Sequence, residues 1–216
     1  MANGQPSSAL ALLRHKDRIL TRKFICLFLF GFEILIIMLV AVSTAGAQSS
    51  HQTFAVVAPP NCQNNDGEIV RFENRSSQTA KSAAGMAKND DNGQPVIYRF
   101  SYERSPAALQ NFIDLHECAH HQTGDIDLPH PPRNSPAHMM NESIADCIAT
   151  LRIRDETEDG ASRINDAAQA LTAAMEIVGF PKLTIDSRIS NINNCRLKDL
   201  SAADFIDGVL VHRGLK

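Results

Sequence analysis

The chain has 216 residues, of which 21% are charged and 44% hydrophobic, and a formal net charge of −3. Values this close to globular averages exclude a wholly disordered chain, a coiled coil and a polytopic membrane protein. The first 47 residues carry Arg14, Lys16, Arg18, Arg22 and Lys23 against Asp17 and Glu33, so the remaining 169 hold 16 bases and 22 acids, a balance of −6 with no basic run. That leaves no electrostatic footprint for nucleic acid, and enough chain for one ordinary core.

Residues 24–42 read FICLFLFGFEILIIMLVAV, a run of 19 interrupted only by Gly31 and Glu33 and preceded by the basic cluster. A secretory apolar region usually spans about 7 to 15 residues and a membrane-crossing helix about 20, so the run suits a cleaved signal or an uncleaved anchor. Ala45-x-Ala47, just after the apolar block 34–42, has the small-residue pattern of a signal-peptidase site. The expected division is 1–47 as signal peptide or signal anchor and 48–216 as one domain. That domain is exported (periplasmic or secreted) after cleavage near Ala47, or held outside the cytoplasm by residues 24–42, because the basic residues stay inside. Cys62, Cys118, Cys147 and Cys195 form an even set suited to two disulfides in that oxidising compartment. No two of them have the short spacing of a cysteine-zinc cluster.

Along the domain, 53–57 (TFAVV) and 68–72 (EIVRF) are short β-rich runs bounded by Pro, Asn and Gly, each a candidate strand. The polar stretch 73–94 predicts a loop, or a weak helix around 80–88. Residues 95–102 (PVIYRFSY) concentrate β-branched and aromatic residues and predict a strand. Ser105-Pro106 then reads as a helix start, with Leu109, Phe112, Ile113, His116 and His120 at helical spacing up to about Gly124. A second helix starts likewise at Ser135-Pro136 and runs to about Arg154. A third covers 161–178 before Gly179-Phe180-Pro181, and a last one covers 202–211 after the capping pair Ser201 and Asp204. The fold class is α+β, mainly helical, with a small sheet.

His116-Glu117-Cys118-Ala119-His120 is an H-E-x-x-H motif. Two histidines four apart on a helix lie about one turn from each other, so both rings reach one metal ion, while the glutamate reaches water at that ion. A catalytic zinc needs three protein ligands and one open position. The metzincin extension is absent, because Thr123 and Ile126 stand where it needs Gly and His. Asn141-Glu142-Ser143-Ile144-Ala145-Asp146 instead supplies two carboxylates on one helical face. Glu142 is the candidate third ligand, and Asp146 the acceptor for the spare N–H of a ligating histidine.

H-E-x-x-H followed by E-x-x-x-D resembles the gluzincin metallopeptidases, and the small size is similar to minimal members related to the prenyl-protein (CAAX) peptidase and heat-shock membrane-protease family. The resemblance covers about residues 95–195 and includes the PVIY strand, HECAHH, ESIADC and Arg188. It implies a zincin-like domain with the sheet beside the active-site helix, a Zn2+ cofactor, Glu117 as general base, and peptide or protein substrates. It also implies a strand at 96–101 that pairs with extended substrate. Family members commonly carry His-Pro before the arginine, where Asp186 and Ser187 stand here. Arg188 and Tyr98 are candidates for lining the site, Tyr98 as a donor to an oxyanion.

His121 points about 100° away from His120 and suits a place outside the ligand set. His130 and His138 lie in or near the segment joining the two site helices. If those helices converge on one metal, Cys118 and Cys147 travel with them, which predicts Cys118–Cys147 and, by default, Cys62–Cys195. Three functions stand side by side: an exported zinc endopeptidase, a non-catalytic zinc-containing binding or inhibitory module on the same fold, and a membrane-anchored interaction domain. Glu117 favours the first, because a purely structural zinc has no use for a base.

Overall fold

A computed structural model describes residues 53–77 and 79–216. The segment expected to be a signal peptide or anchor, with the expected cleavage site near Ala47, lies outside the described residues, and no helix among the described residues is long and apolar enough to cross a membrane. Among the described residues the architecture is α+β and mainly helical: three strands, then a 3-10 turn at Tyr102–Arg104, then five helices.

The strands are β1 (Arg71–Arg75), β2 (Ala84–Asn89) and β3 (Pro95–Phe100), in the order β1-β3-β2. The 95–102 run is thus the central strand, with β1 parallel on one side and β2 antiparallel on the other. Its β-branched and aromatic side chains suit a strand whose neighbours cover both edges. Two expectations are corrected. Residues 53–57 form no strand: this extended segment is held by a side chain, with Gln110 accepting from Val57 N–H and donating to the Ala55 carbonyl. The stretch read as a loop or weak helix contains β2, whose sequence AGMAKN has little β propensity. Pairing with β3 through an Asp90 turn overrides that composition. The Asp90 carboxylate accepts from Asn92 and Gln94 N–H there.

The helices are α1 (Ala107–Gln122), α2 (Pro136–Glu156), α3 (Gly160–Val178), α4 (Lys182–Cys195) and α5 (Ala202–Arg213). Ser135 caps α2 by accepting from His138 N–H, and Ser201 caps α5 by accepting from Asp204 N–H. Ser105 does not cap α1. Its hydroxyl accepts from Ala83 N–H and bonds Ser82, fastening the start of β2 to the start of α1. Helix α4 has no counterpart in the sequence reading, because KLTIDSRISNINNC mixes β-branched, Ser and Asn residues and buries only Ile185, Ile192 and Cys195. The main core joins α1 to α4 through Leu109, Phe112, Ala149, Ile153, Ile164 and Ile192.

Helix α1 lies on the sheet face carrying Ile97 and Arg99. Arg99 donates to Asp114 of α1 at 3.0 Å, and the Tyr102 hydroxyl donates to the same carboxylate at 2.8 Å. Arg99 and Asp114 are 2% and 0% exposed, so this buried ion pair fixes the helix to the sheet.

The disulfides are Cys62–Cys118 and Cys147–Cys195, with Cα separations of 5.8 and 5.3 Å. The expected pairing of Cys118 with Cys147, and of Cys62 with Cys195, is therefore wrong. Sharing a site with two helices does not make neighbouring side chains meet, because each step along a helix turns about 100°. Cys118 is about 200° around from the histidines and sits with Cys62, Val70 and Ile97 beside the sheet. Cys147, one step past Asp146, sits with Leu151, Cys195 and Ala202 on the α4 and α5 side. Two disulfides suit an oxidising, extracellular-type environment.

Candidate metal centre

The two histidines of α1 and Glu142 of α2 meet in the wall of a cleft of about 540 Å³. Nε2 of His116 lies 3.3 Å from Nε2 of His120. Glu142 Oε2 is 3.4 Å from His116 Nε2, and its Oε1 is 3.7 Å from His120 Nε2. A tetrahedral ion with bonds of about 2.0 to 2.1 Å holds its ligand atoms about 3.4 Å apart, so this triangle has the spacing that such an ion requires. Two imidazole nitrogens and one carboxylate form a donor set that could hold a metal ion, as the sequence spacing predicts.

Both rings are oriented from behind. His116 Nδ1 is 2.9 Å from Asp146 Oδ1, and His120 Nδ1 is 2.9 Å from Asp125 Oδ2. With each Nδ1 turned to a carboxylate, Nε2 is the atom each ring directs to the shared point, and its lone pair becomes available there when the ring is neutral. Asp146 is 1% exposed and is neutralised by Arg188 of α4, whose Nε and Nη2 donate at 2.8 and 2.5 Å. Asp125, 5% exposed, is neutralised by Arg213 of α5. Asp125 and Arg213 escape the sequence reading. The local signal was Gly124, whose φ of +70° turns the chain back after α1 and returns Asp125 to the last turn of the helix.

Electrostatics follow from these contacts. Burial alone would lower the His116 pKa, but hydrogen bonding with Asp146 and Glu142 and the nearby negative charges raise it to about 10. Burial would raise Glu142, yet bonding to His116 and the charges of His116, His120 and Arg188 bring it down to about 2. Against its burial, Asp146 is held below the usual carboxylate range by Arg188 and His116. His116 and Glu142 thus face each other as an oppositely charged pair.

Glu117 points from α1 toward β2, where one carboxylate oxygen accepts from Ala87 N–H at 2.8 Å. Gly85 and Ala87 of β2 line the cleft together with Glu117 and the three candidate ligands. The strand beside the site is therefore β2, not the 96–101 strand expected there, since β3 is enclosed between β1 and β2. The same topology corrects the placement of Tyr98. Alternation puts Tyr98 on the sheet face opposite Ile97, under the Arg75 guanidinium at 3.8 Å. There it packs the outer sheet face and is not among the residues that line the cleft.

Arg188 lines the cleft as well as bracing Asp146. His130 and His138 also reach its wall, outside the ligand group. His121 takes no part. It is 2% exposed, its Nε2 lies 3.2 Å from the Val96 carbonyl, and burial depresses its pKa, so it is a neutral tie between α1 and β3. Beside the ligands opens an apolar recess of about 330 Å³, bounded by Leu109, Phe112, Ile113, Leu171 and Met175.

Comparison of the chain with protein-family models, curated proteins and solved structures finds no match. What the site can do therefore rests on its own geometry.

Proposed function

We propose that the domain is an exported zinc-dependent metallopeptidase that hydrolyses peptide bonds in peptide or protein substrates, with Glu117 as general base. The observation that carries this reading is the position of Glu117, one residue past a candidate ligand, in the lining of the cleft and held by a backbone N–H of the neighbouring strand. A structural metal site is closed and needs no base; here Glu142 is 33% exposed at the edge of an open cleft. The donor set of two histidines and one glutamate fits zinc, with His116, His120 and Glu142 as its holders. Bound there, zinc would act as a Lewis acid, polarising the scissile carbonyl and lowering the pKa of water toward about 7.

The chain's own groups supply the rest. Glu117 takes a proton from the attacking water as its oxygen bonds to the carbonyl carbon. The proton then passes to the amide nitrogen as the C–N bond breaks, leaving a carboxylic acid and an amine. Beyond β3, the other edge of β2 has no strand partner among the described residues and borders the cleft, which suits an extended backbone laid alongside it. The recess bounded by Phe112, Leu171 and Met175 suits an apolar side chain of that substrate. The two disulfides accord with a periplasmic or secreted site of action, and residues 24–42 remain the proposed signal or anchor.

Zinc content and hydrolysis of an unfolded protein such as casein, compared between wild type and Glu117→Gln, test this reading. Both proteins should carry about one zinc per chain, and the variant should lose at least about a hundredfold in turnover. Equal turnover in the two, or a wild type that takes up no zinc, removes it.

A further inference from the structure

The last turn of the chain reaches the metal site from behind. Arg213 closes α5, and its side chain is 12% exposed. Nη1 donates to the Thr123 carbonyl at 2.6 Å and forms an ion pair with Asp125 Oδ1, while Nη2 donates to Asn141 Oδ1 at 2.9 Å. One guanidinium thus joins the end of α1, the turn after it and the helix that carries Glu142. Two residues later Leu215 packs on that turn: a Cβ added to Gly124 would lie 2.5 Å from Leu215 Cδ1.

We infer that Arg213 is a positioning residue of the metal centre, acting through Asp125 on the ring of His120, so that the C-terminal helix latches one ligand in place. This inference rests on the metal reading above. The two histidine braces differ in how they are carried. Asp146 sits inside α2, on a backbone that the helix itself holds rigid. Asp125 sits outside α1, on a turn, and is kept over His120 by the Asp125 N–H to His120 carbonyl bond and by Arg213. One oxygen of its buried carboxylate faces the imidazole and the other faces the guanidinium. Without Arg213 that second oxygen is a buried charge with no counter-ion, and the turn gains by swinging it to water. His120 then loses the acceptor that fixes its tautomer and ring angle. Metal affinity therefore depends on a residue at position 213 of 216, although that residue touches neither metal nor ligand.

The test compares full-length wild type with Arg213→Met, Arg213→Lys, Asp125→Asn and the Arg213→Met/Asp125→Asn double variant. Zinc affinity is read by competition with a chromophoric chelator, zinc dissociation by stopped flow, and ligand geometry by the visible spectrum of the cobalt(II) form. Thermal unfolding of the metal-free proteins reports any structural role separately. Arg213→Met and Asp125→Asn should each weaken zinc binding by about 10- to 100-fold and alter the cobalt spectrum, as loss of an outer partner does. The double variant should bind no more weakly than the worse single one, because both changes cut the same chain of contacts. Arg213→Lys keeps the charge and should recover part of the affinity, and it carries the same comparison should Arg213→Met fail to fold. Wild-type affinity and cobalt spectrum in Arg213→Met, or strictly additive losses in the double variant, would overturn the latch while leaving the metal site standing. A wild type that binds neither zinc nor cobalt would overturn both.

Discussion

Gly85 of β2 and Glu117 of α1 approach so closely that no side chain fits between them: a Cβ on Gly85 would stand 2.4 Å from Glu117 Cγ and 2.7 Å from Ile113 Cγ2. The absence of a side chain at position 85 lets the strand lie against the helix, and from there Ala87 N–H reaches the Glu117 carboxylate. Gly85→Ala should therefore push Glu117 off Ala87 or move β2 outward. The expected cost is about 1 to 3 kcal/mol of stability, as for other overpacked sites. Turnover on an unfolded-protein substrate should fall while zinc stoichiometry is kept, because the closest clashes of the added Cβ are with Glu117 and Ile113, not with the three candidate ligands. Denaturant unfolding, metal analysis and activity together check this, and full activity in the alanine variant would contradict it.

Asp146 braces His116 and is itself neutralised by Arg188. Asp146→Ala should weaken zinc affinity by about 10- to 100-fold. It also strands Arg188, whose charge is mostly buried, so the metal-free protein should lose stability too. Arg188→Ala should show the converse, a buried Asp146 carboxylate with no counter-ion. Chelator competition and thermal melts on both variants measure these two effects.

Metal uptake should be pH-dependent, with the sign set by His116. With a pKa raised to about 10, the metal-free ring carries a proton at neutral pH, and a metal must displace it. Apparent zinc affinity should rise about tenfold per pH unit across pH 6 to 8, with about one proton released per ion bound. In the metal-free form the His116 contribution to stability follows the opposite course. The His116 contribution is complete below its ordinary value of 6.5 and is lost as pH rises through about 10. The Glu142 contribution is complete above 4.5 and is lost as pH falls through about 2. Titrations in buffers of different ionisation enthalpy count the proton, and a pH-independent affinity would show that His116 is already neutral.

Non-reducing peptide mapping should recover Cys62 with Cys118 and Cys147 with Cys195. Replacing Cys195 and Cys147 together by serine should cost about 2 to 5 kcal/mol, the usual range for a native disulfide. That bridge anchors the end of α4, the helix that brings Arg188 to Asp146, so the same variant should also bind zinc less tightly. Recovery of a Cys118–Cys147 peptide would contradict the arrangement.

What could be read from the sequence alone is what short-range geometry controls. Helix periodicity places His116 and His120 one turn apart with Glu117 between them, and the same rule puts Glu142 and Asp146 on one face of α2. Ser135 and Ser201 start their helices where capping chemistry requires, and the apolar stripe of 161–178 ends at Gly179, which has a φ of 93°. The tertiary structure alone decided which parts meet across the chain. AGMAKN becomes the strand beside the cleft because β3 offers it a partner, not because its residues favour a strand. α4 forms from a weak helical sequence because its buried side packs on α2 and α3 and delivers Arg188. The cysteine partners follow the faces that packing turns toward each other, which counting residues does not reveal. The pairing of Asp125 with Arg213 joins positions 88 apart, at a separation where no local propensity acts and only the packed fold sets the contact.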